Sequence, residues 1–230
     1  MTNGQLYIDK SHISDGYFVA RNIKPDNKRY KLTVIFGKNS LNYDIKDVDI
    51  VVPLQFGDGK YTVKLFKNVT GTKYASAGVI SMTVKLSSAT APFIHPNVYV
   101  NYTPNSPCVA RASKLCKVGM SNVDCVNTIM NYIKRTIVYD YIKALTVRTG
   151  TLPDIDGCYK NGRGICQDIA GLMVAMLRSQ GIPASLVIGY ADVAYHAWVR
   201  VYIEGTTKLY DPTAVLLGKK VKKYTTERWY

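Results

Sequence analysis

Apolar and polar residues alternate along much of residues 5–88, as they do in β-strands that have one buried and one exposed face. Loop sequences rich in glycine and asparagine separate the alternating runs. The predicted strands of this part are Tyr30–Phe36, Val48–Leu54, Tyr61–Phe66 and Val79–Leu86. Short strands at this spacing predict a β-sandwich-like domain over residues 1–90, and no group of residues in it suggests a catalytic site.

A proline-rich segment follows at residues 91–107, with prolines at positions 92, 96, 104 and 107. Proline restricts the backbone and has no N–H, so a segment of this kind favours a stiff, extended conformation. We therefore predict a connector over residues 91–107 and a second domain over residues 108–230.

The apolar spacing then changes to that of amphipathic helices. Ser121 followed by Asp124 resembles a capping box, and the apolar positions after it predict a helix over residues 122–137. A second helix is expected to begin near Cys166 and to end at Gly181. The predicted strands of this part are Ser185–Tyr190, His196–Ile203, Thr207–Asp211 and Tyr224–Tyr230. The whole chain is therefore predicted to be an α+β protein.

Composition and charge limit the kinds of molecule that this protein is expected to bind. The apolar content of 47% is enough for a packed core, and no apolar run reaches the roughly 18 residues that cross a membrane. A formal net charge of +14 suggests an acidic partner, but the basic residues are spread along the chain and no nucleic-acid-binding motif is present. We expect no specific nucleic-acid partner and a basic surface suited to anionic surroundings. No CxxC pair occurs, so no metal or other cofactor is predicted.

Cys166 lies in the sequence Gly-Arg-Gly-Ile-Cys-Gln-Asp, at the predicted start of the second helix. The N–H groups and the dipole at a helix N-terminus favour a thiolate over a thiol. The odd number of cysteines leaves at least one thiol free, and the sequence does not assign disulfides among Cys108, Cys116, Cys125 and Cys158. Taken alone, a cysteine of this kind is more often a buried structural residue than a nucleophile.

His196 and Asp211 lie on two neighbouring predicted strands, which a turn at residues 204–205 connects. A two-residue turn there pairs Ile203 with Thr206. Continuing this register places Asp211 diagonally across from His196 on the same face, where Cβ atoms lie within about 7–8 Å. The register therefore favours a Cys-His-Asp triad, whereas a shift by one residue would send the carboxylate to the opposite face.

In such a triad the thiolate attacks a carbonyl carbon and forms a thioester, the imidazole moves the proton, and the carboxylate orients the imidazole. The reaction also needs a donor for the oxyanion, and the backbone N–H of Cys166 is one candidate. Tyr195, Trp198 and Gln167 are candidate substrate-binding residues, although each of them also fits a packing or surface role.

The motifs Gly-x-Cys-x-Asp, Arg-x-x-Gly-Ile-Pro-Ala, His-Ala-Trp and Asp-Pro-Thr occur in this order in the second half. Over about residues 108–217 the sequence resembles the transglutaminase-like superfamily of papain-like thiol enzymes. The resemblance implies that a helix carrying the nucleophile Cys166 packs on an antiparallel sheet carrying the base His196 and the orienting residue Asp211. The N-terminal half resembles, less closely, the β-rich domains that precede such modules in bacterial surface proteins. The acidic clusters of animal transglutaminase calcium sites are absent from the sequence.

Together these features predict a thiol enzyme that cleaves or transfers an acyl group at an amide bond. A cysteine peptidase or amidase is preferred because water is abundant, with a protein-crosslinking transamidase and a non-catalytic cell-surface binding module as alternatives. Expected partners are a peptide, protein or peptidoglycan substrate and an anionic cell-wall polymer. The first residues contain no signal peptide, so we expect a secreted or cell-surface chain with its signal removed, or else a cytoplasmic protein.

Overall fold

The computed structural model describes residues 1–45 and 49–230, which form two compact units, Met1–Pro92 and Phe93–Tyr230. Antiparallel sheets and helices together confirm the predicted α+β class. The division between the units falls inside the segment that was predicted as a connector. The first residue of the predicted strand Val48–Leu54 lies outside the described residues, and the strand is observed from Ile50 to Pro53.

The described part of the first unit consists of antiparallel strands. Their bounds are β1 Thr2–Asn3, β2 Leu6–Asp9, β3 Tyr17–Asn22, β4 Tyr30–Phe36, β5 Asn39–Ile45, β6 Ile50–Pro53, β7 Gly59–Thr70 and β8 Lys73–Val84. One sheet has the order β1-β2-β3-β6 and another has the order β5-β4-β7-β8. On β7, Tyr61 and Val63 are fully buried while Thr62 between them is partly exposed. This alternation gives the strand one buried and one partly exposed face, as expected for a sheet that covers a core on one side.

The second unit combines helices with a further antiparallel sheet. Its helices are α1 Pro107–Leu115, α2 Asn122–Thr136, α3 Tyr141–Thr146, α4 Ile155–Asn161, α5 Cys166–Arg178 and α6 Pro212–Leu217. Its strands are β9 Val138–Tyr139, β10 Arg163–Gly164, β11 Ala184–Ala191, β12 Ala194–Ile203, β13 Thr206–Tyr210 and β14 Tyr224–Trp229. The sheet has the order β13-β12-β11-β14, and a short parallel ladder joins β9 to β10.

Both helices predicted in this half are present. Ser121 caps α2 by accepting the backbone N–H of Asp124 at 3.1 Å, and α2 ends one residue before the predicted bound. Helix α5 begins at Cys166, packs on β11 and β12, and contacts α1, α2, α4 and α6 as well. It is buried around its whole circumference from Asp168 to Arg178, which fixes the position of its first residue. Within the described residues, no helix has the length and apolar character that a bilayer crossing requires.

Arg178 at the end of α5 connects the proline-rich segment to the core of the second unit. Its guanidinium donates to the backbone carbonyls of Ala184, Tyr230 and His95. Burial lowers the pKa of Arg178 to about 10, and the three carbonyls compensate for the lost water. Pro107, the last of the predicted connector residues, already lies in the first turn of α1. Most of the predicted connector therefore packs within the second unit.

Candidate active site

Cys166 is the first residue of α5 and is partly exposed in a cleft of about 300 Å³. The preceding strand approaches the helix closely at Gly164. A Cβ atom there would lie 2.8 Å from the sulfur of Cys158 and 2.9 Å from the Cβ of Asp168, so a side chain does not fit without displacing these groups. The glycine of the Gly-x-Cys-x-Asp motif is therefore required by packing.

The buried carboxylate of Asp168 holds the start of α5 in place. Its Oδ2 accepts the backbone N–H of Ile165 at 3.0 Å and lies 2.7 Å from the ammonium group of Lys143. Its Oδ1 accepts the backbone N–H of Asp154 at 2.9 Å. Asp168 is fully buried, so each of these bonds replaces a bond to water. The carboxylate thus joins α5 to α3 and α4 beside the cysteine.

The structure brings Cys166, His196 and Asp211 together. The Nε2 atom of His196 lies 2.9 Å from Oδ2 of Asp211, and Cys166 lies close enough to the same imidazole to raise its pKa. Because Nε2 faces the carboxylate, Nδ1 is the ring nitrogen that remains for the sulfur. The imidazole therefore bridges a thiol and a carboxylate, which is the arrangement that activates a nucleophilic cysteine.

The position of Asp211 depends on the hairpin and on a helix cap. Glu204 and Gly205 have φ values of 53° and 68°, as a type I′ turn requires, and Ile203 pairs with Thr206 as predicted. The ladder ends at Tyr210, so the prediction that Asp211 belongs to the strand is wrong. Asp211 is instead the N-cap of α6, and its Oδ1 accepts the backbone N–H of Ala214 at 2.8 Å.

Tyr224 is a further neighbour of the carboxylate that the sequence reasoning missed. Its hydroxyl donates to Oδ2 of Asp211 at 2.9 Å, and its ring lies 5.0 Å from that of Trp198. Tyr224 lies on β14, which pairs with β11 and not with the strand of His196. Tyr224 and Asp211 come together only through the order of strands in the sheet. No local sequence signal therefore identifies Tyr224 as a neighbour of the carboxylate.

Hydrogen bonds shift the proton affinities of the His196–Asp211 pair. Burial by itself disfavours the protonated ring, but hydrogen bonds and charge from Asp211 and Cys166 outweigh burial and raise the pKa of His196 to about 9. Burial likewise disfavours the carboxylate, but hydrogen bonds from His196, Ala214 and Tyr224 leave the pKa of Asp211 below its usual range. At neutral pH the imidazole is therefore protonated, and its positive charge lies next to the Cys166 side chain.

The other cysteines differ from Cys166. A disulfide joins Cys116 to Cys125, between the end of α1 and the first turns of α2. Cys108 and Cys158 are buried thiols, and burial raises the pKa of Cys108 to about 11 and that of Cys158 to about 12. At neutral pH both of them are protonated and shielded from reagents, which leaves Cys166 as the accessible thiol among the described residues.

The three candidate substrate-binding residues have different surroundings. Tyr195 lines the cleft, is about half exposed, and accepts a hydrogen bond from the guanidinium of Arg228. Gln167 also lines the cleft, but its side-chain amide donates to the carbonyl of Thr151 at 2.9 Å. Trp198 is 1% exposed and does not line the cleft, since it packs behind His196 with a ring-centroid distance of 6.4 Å.

Three further side chains of the cleft were not singled out from the sequence. Tyr139, on β9, lies close enough to Cys166 for their charges to interact, and burial is the main cause of the raised pKa of its hydroxyl. Arg148 comes from the loop after α3, and Arg228 comes from β14. These residues are far apart in the chain, so only the fold identifies them as neighbours. Within the described residues, no cluster of three or more His, Cys, Asp or Glu side chains suited to a metal ion is found.

Residues 110–210, which include both Cys166 and His196, match the model of the Transglutaminase-like superfamily. This segment belongs to the transglutaminase-like superfamily. The match covers most of the second unit and agrees with the resemblance found in the sequence.

Relatives of known sequence or structure resemble parts of the chain. The chain is 36% identical over 87 residues to the uncharacterized protein ML0607 of Mycobacterium leprae, and the alignment covers 32% of this chain and 29% of that one. The chain thus spans less than a third of that relative.

Solved structures that resemble this chain are distant from it in sequence. A proposed cysteine protease from Cytophaga hutchinsonii is 18% identical with a TM-score of 0.49, over 89% of this chain and 74% of that chain. Red sea bream transglutaminase is 12% identical with a TM-score of 0.36, over 92% of this chain and 48% of that chain.

Proposed function

We propose that the second unit is a cysteine peptidase or amidase that cleaves an amide bond through a thioester on Cys166. The observation that carries the proposal is the position of His196, whose imidazole bonds Asp211 through Nε2 and lies next to the Cys166 thiol. Transfer of the thiol proton to the neutral imidazole gives a thiolate–imidazolium pair, whose positive charge the buried carboxylate stabilises.

In the proposed reaction the Cys166 thiolate attacks the carbonyl carbon of the amide. The developing oxyanion accepts a hydrogen bond from the backbone N–H of Cys166, which has no acceptor within α5 because it belongs to the first turn. The imidazolium of His196 passes its Nδ1 proton to the amide nitrogen, the C–N bond breaks, and the amine leaves. Asp211 holds the ring and stabilises its charged form throughout.

The thioester is then cleaved by water. The neutral imidazole of His196 accepts a proton from the water as its oxygen attacks the thioester carbon, and the C–S bond breaks. The carboxylic acid product leaves, and the thiolate–imidazolium pair is restored. Hydrolysis is preferred over transfer to a lysine because Arg148 and Arg228 line the cleft, and a protonated amine would be repelled by both.

The proposed substrates are peptides, proteins or peptidoglycan stems, and the proposed location is secreted or at the cell surface. The disulfide between Cys116 and Cys125 supports this location, since such bonds persist in oxidising compartments. The formal charge of +14 supports an additional association with anionic cell-wall polymers. That association should weaken steeply between low and high salt, and binding that does not depend on salt would contradict it.

The reaction is tested by incubating peptide and peptidoglycan libraries with the wild-type protein and with Cys166→Ala, followed by mass spectrometry. Hydrolysis produces two fragments whose masses sum to the substrate plus one water, and Cys166→Ala should produce none. Addition of an amine donor distinguishes water from an amine as the acyl acceptor. A product whose mass has increased by the amine would favour a transamidase. Wild type that changes neither library would contradict the proposal.

A binding module without turnover is distinguished by thiol reactivity. Iodoacetamide near neutral pH should modify Cys166 rapidly in the wild type, and His196→Ala, which leaves this thiol exposed, should slow the modification strongly. Equal rates of Cys166 modification in the wild type and in His196→Ala would favour a non-catalytic module.

A further inference from the structure

The cleft beside Cys166 is lined by basic side chains and not by acidic ones. Its lining residues include Arg148 and Arg228 together with the tyrosines Tyr99, Tyr139 and Tyr195. Among the described residues, no Asp or Glu belongs to the lining. A cleft of this composition favours a ligand that has a negative charge and an apolar or aromatic surface.

Arg228 has hydrogen-bond donors that the protein does not use. One terminal nitrogen donates to the hydroxyl of Tyr195, whereas Nε is buried and has no acceptor within the described residues. The bond to Tyr195 fixes the guanidinium in place, and its remaining donors are suited to the paired oxygens of a carboxylate. In the sheet, Ile188 on β11 pairs with Arg228 on one side and with Ala197 on the other. Arg228 therefore lies two strands away from Ala197, in the same row across the sheet, and Ala197 follows His196.

Arg148 provides a second positive charge from another element. It is exposed on the loop after α3, and within the described residues no carboxylate lies within ion-pair distance of it. The side-chain amide of Gln167 bonds the carbonyl of Thr151 in the same loop, which anchors this loop to the start of α5. The two arginines therefore reach the cleft from separate elements, and both are available to an anion.

The acidic groups nearest the cleft are already engaged. Asp211 bonds His196 and Tyr224, and Asp168 is buried against Lys143. Glu227 influences the hydroxyl of Tyr195 through its charge but does not line the cleft. The positive charge of the two arginines is thus not cancelled within the cleft itself.

We propose that the cleft selects substrates with a carboxylate close to the scissile amide, bound by Arg228 with Arg148 as a second cationic contact. The proposal rests on the proposed amide-cleaving function and adds the chemical class of its substrate. The carboxylate has two sources in a peptide, namely an acidic side chain and a free terminal carboxylate.

The test uses two pairs of matched peptides. The first pair differs only by Glu or Gln next to the scissile amide, and the second differs only by a free or an amidated C-terminus. We expect wild type to favour one carboxylate member in kcat/KM, and Arg228→Gln to reduce cleavage of that member by roughly 10- to 100-fold with little effect on its neutral partner. Arg228→Lys should restore only part of the preference, because lysine lacks the paired donors.

Arg148→Gln should weaken the same preference by a smaller factor, and its exposed position makes loss of folding a poor explanation. Arg200→Gln is the matched control for net charge, because Arg200 bonds Thr226 and stacks on Trp229 outside the cleft lining. It should leave the preference unchanged. A wild-type enzyme that cleaves both members of each pair equally, or a preference that survives Arg228→Gln and Arg148→Gln, would overturn the proposal.

Binding to Cys166→Ala separates this inference from the proposed reaction. Calorimetry should show tighter binding of the carboxylate peptide than of its neutral partner, and Arg228→Gln in the same background should remove the difference. Carboxylate-selective binding without any turnover by wild type would contradict the peptidase proposal and leave the anionic subsite intact. Turnover by wild type without carboxylate-selective binding would overturn the anionic subsite and leave the peptidase proposal intact.

Discussion

Replacing Asp211 by Asn tests whether the carboxylate sets the charge state of the Cys166–His196 pair. Asparagine keeps the size of the side chain, and its oxygen can still cap α6 at Ala214. It removes the negative charge that lies 2.9 Å from Nε2 of His196, while the burial that disfavours imidazolium remains. The pKa of His196 should therefore fall from about 9 to its ordinary 6.5 or below.

The size of the effect follows from this fall. The ratio of thiolate–imidazolium to thiol–imidazole drops tenfold for each unit by which the pKa of His196 decreases, so the ion pair becomes at least roughly 300-fold rarer. Alkylation of Cys166 by iodoacetamide at pH 7 should therefore slow by roughly two to three orders of magnitude in Asp211→Asn. The rates are measured by mass spectrometry of the Cys166 peptide, with the buried Cys158 as an internal control. An unchanged rate in a folded Asp211→Asn protein would refute the role assigned to the carboxylate.

The remaining predictions concern two neighbours of the triad, Tyr224 and Asp168, and the pH dependence that His196 should cause. Tyr224→Phe removes one donor to Asp211 but keeps the ring, so kcat should fall by about 5- to 10-fold with KM unchanged, and a rise in KM instead would point to substrate contact. Asp168→Asn should lower the free energy of unfolding in urea by about 2–4 kcal/mol, because it leaves Lys143 unpaired and weakens the anchoring of α5; a loss below about 0.5 kcal/mol would contradict this. Since the raised pKa of His196 keeps the imidazolium at neutral pH, kcat/KM should decline as pH rises through about 9, and a decline centred near the ordinary 6.5 would contradict the ion pair.

Local signals explain why the elements around the site were predictable. The turn at Glu204 and Gly205 needs only two residues, and it fixes the pairing of Ile203 with Thr206 without help from the rest of the fold. Similarly, Ser121 caps α2 through its near neighbour Asp124. Cys166 is found at the start of a helix because glycines and apolar spacing mark that position in the sequence.

Other features depended on signals that were not used or on contacts between distant segments. Asp211 followed by Pro212 is the signature of an N-cap with proline in the first helical turn, and it identifies α6 where a strand end was predicted. Tyr224 and Arg228 reach the site because β14 pairs with β11, which is a long-range property of the sheet. Strand order is not encoded in local spacing, so neither residue could be placed beside the cleft from the sequence.

Trapping the acyl-enzyme tests the central claim most directly. Protein incubated with a cleaved peptide is quenched in acid within a single turnover, and its intact mass and its digest are measured. The account predicts a mass increase equal to the acyl fragment, located on Cys166 and released by neutral hydroxylamine, and no increase in Cys166→Ala. Cleavage of the peptide without an adduct on Cys166, or cleavage that persists in Cys166→Ala, would contradict it.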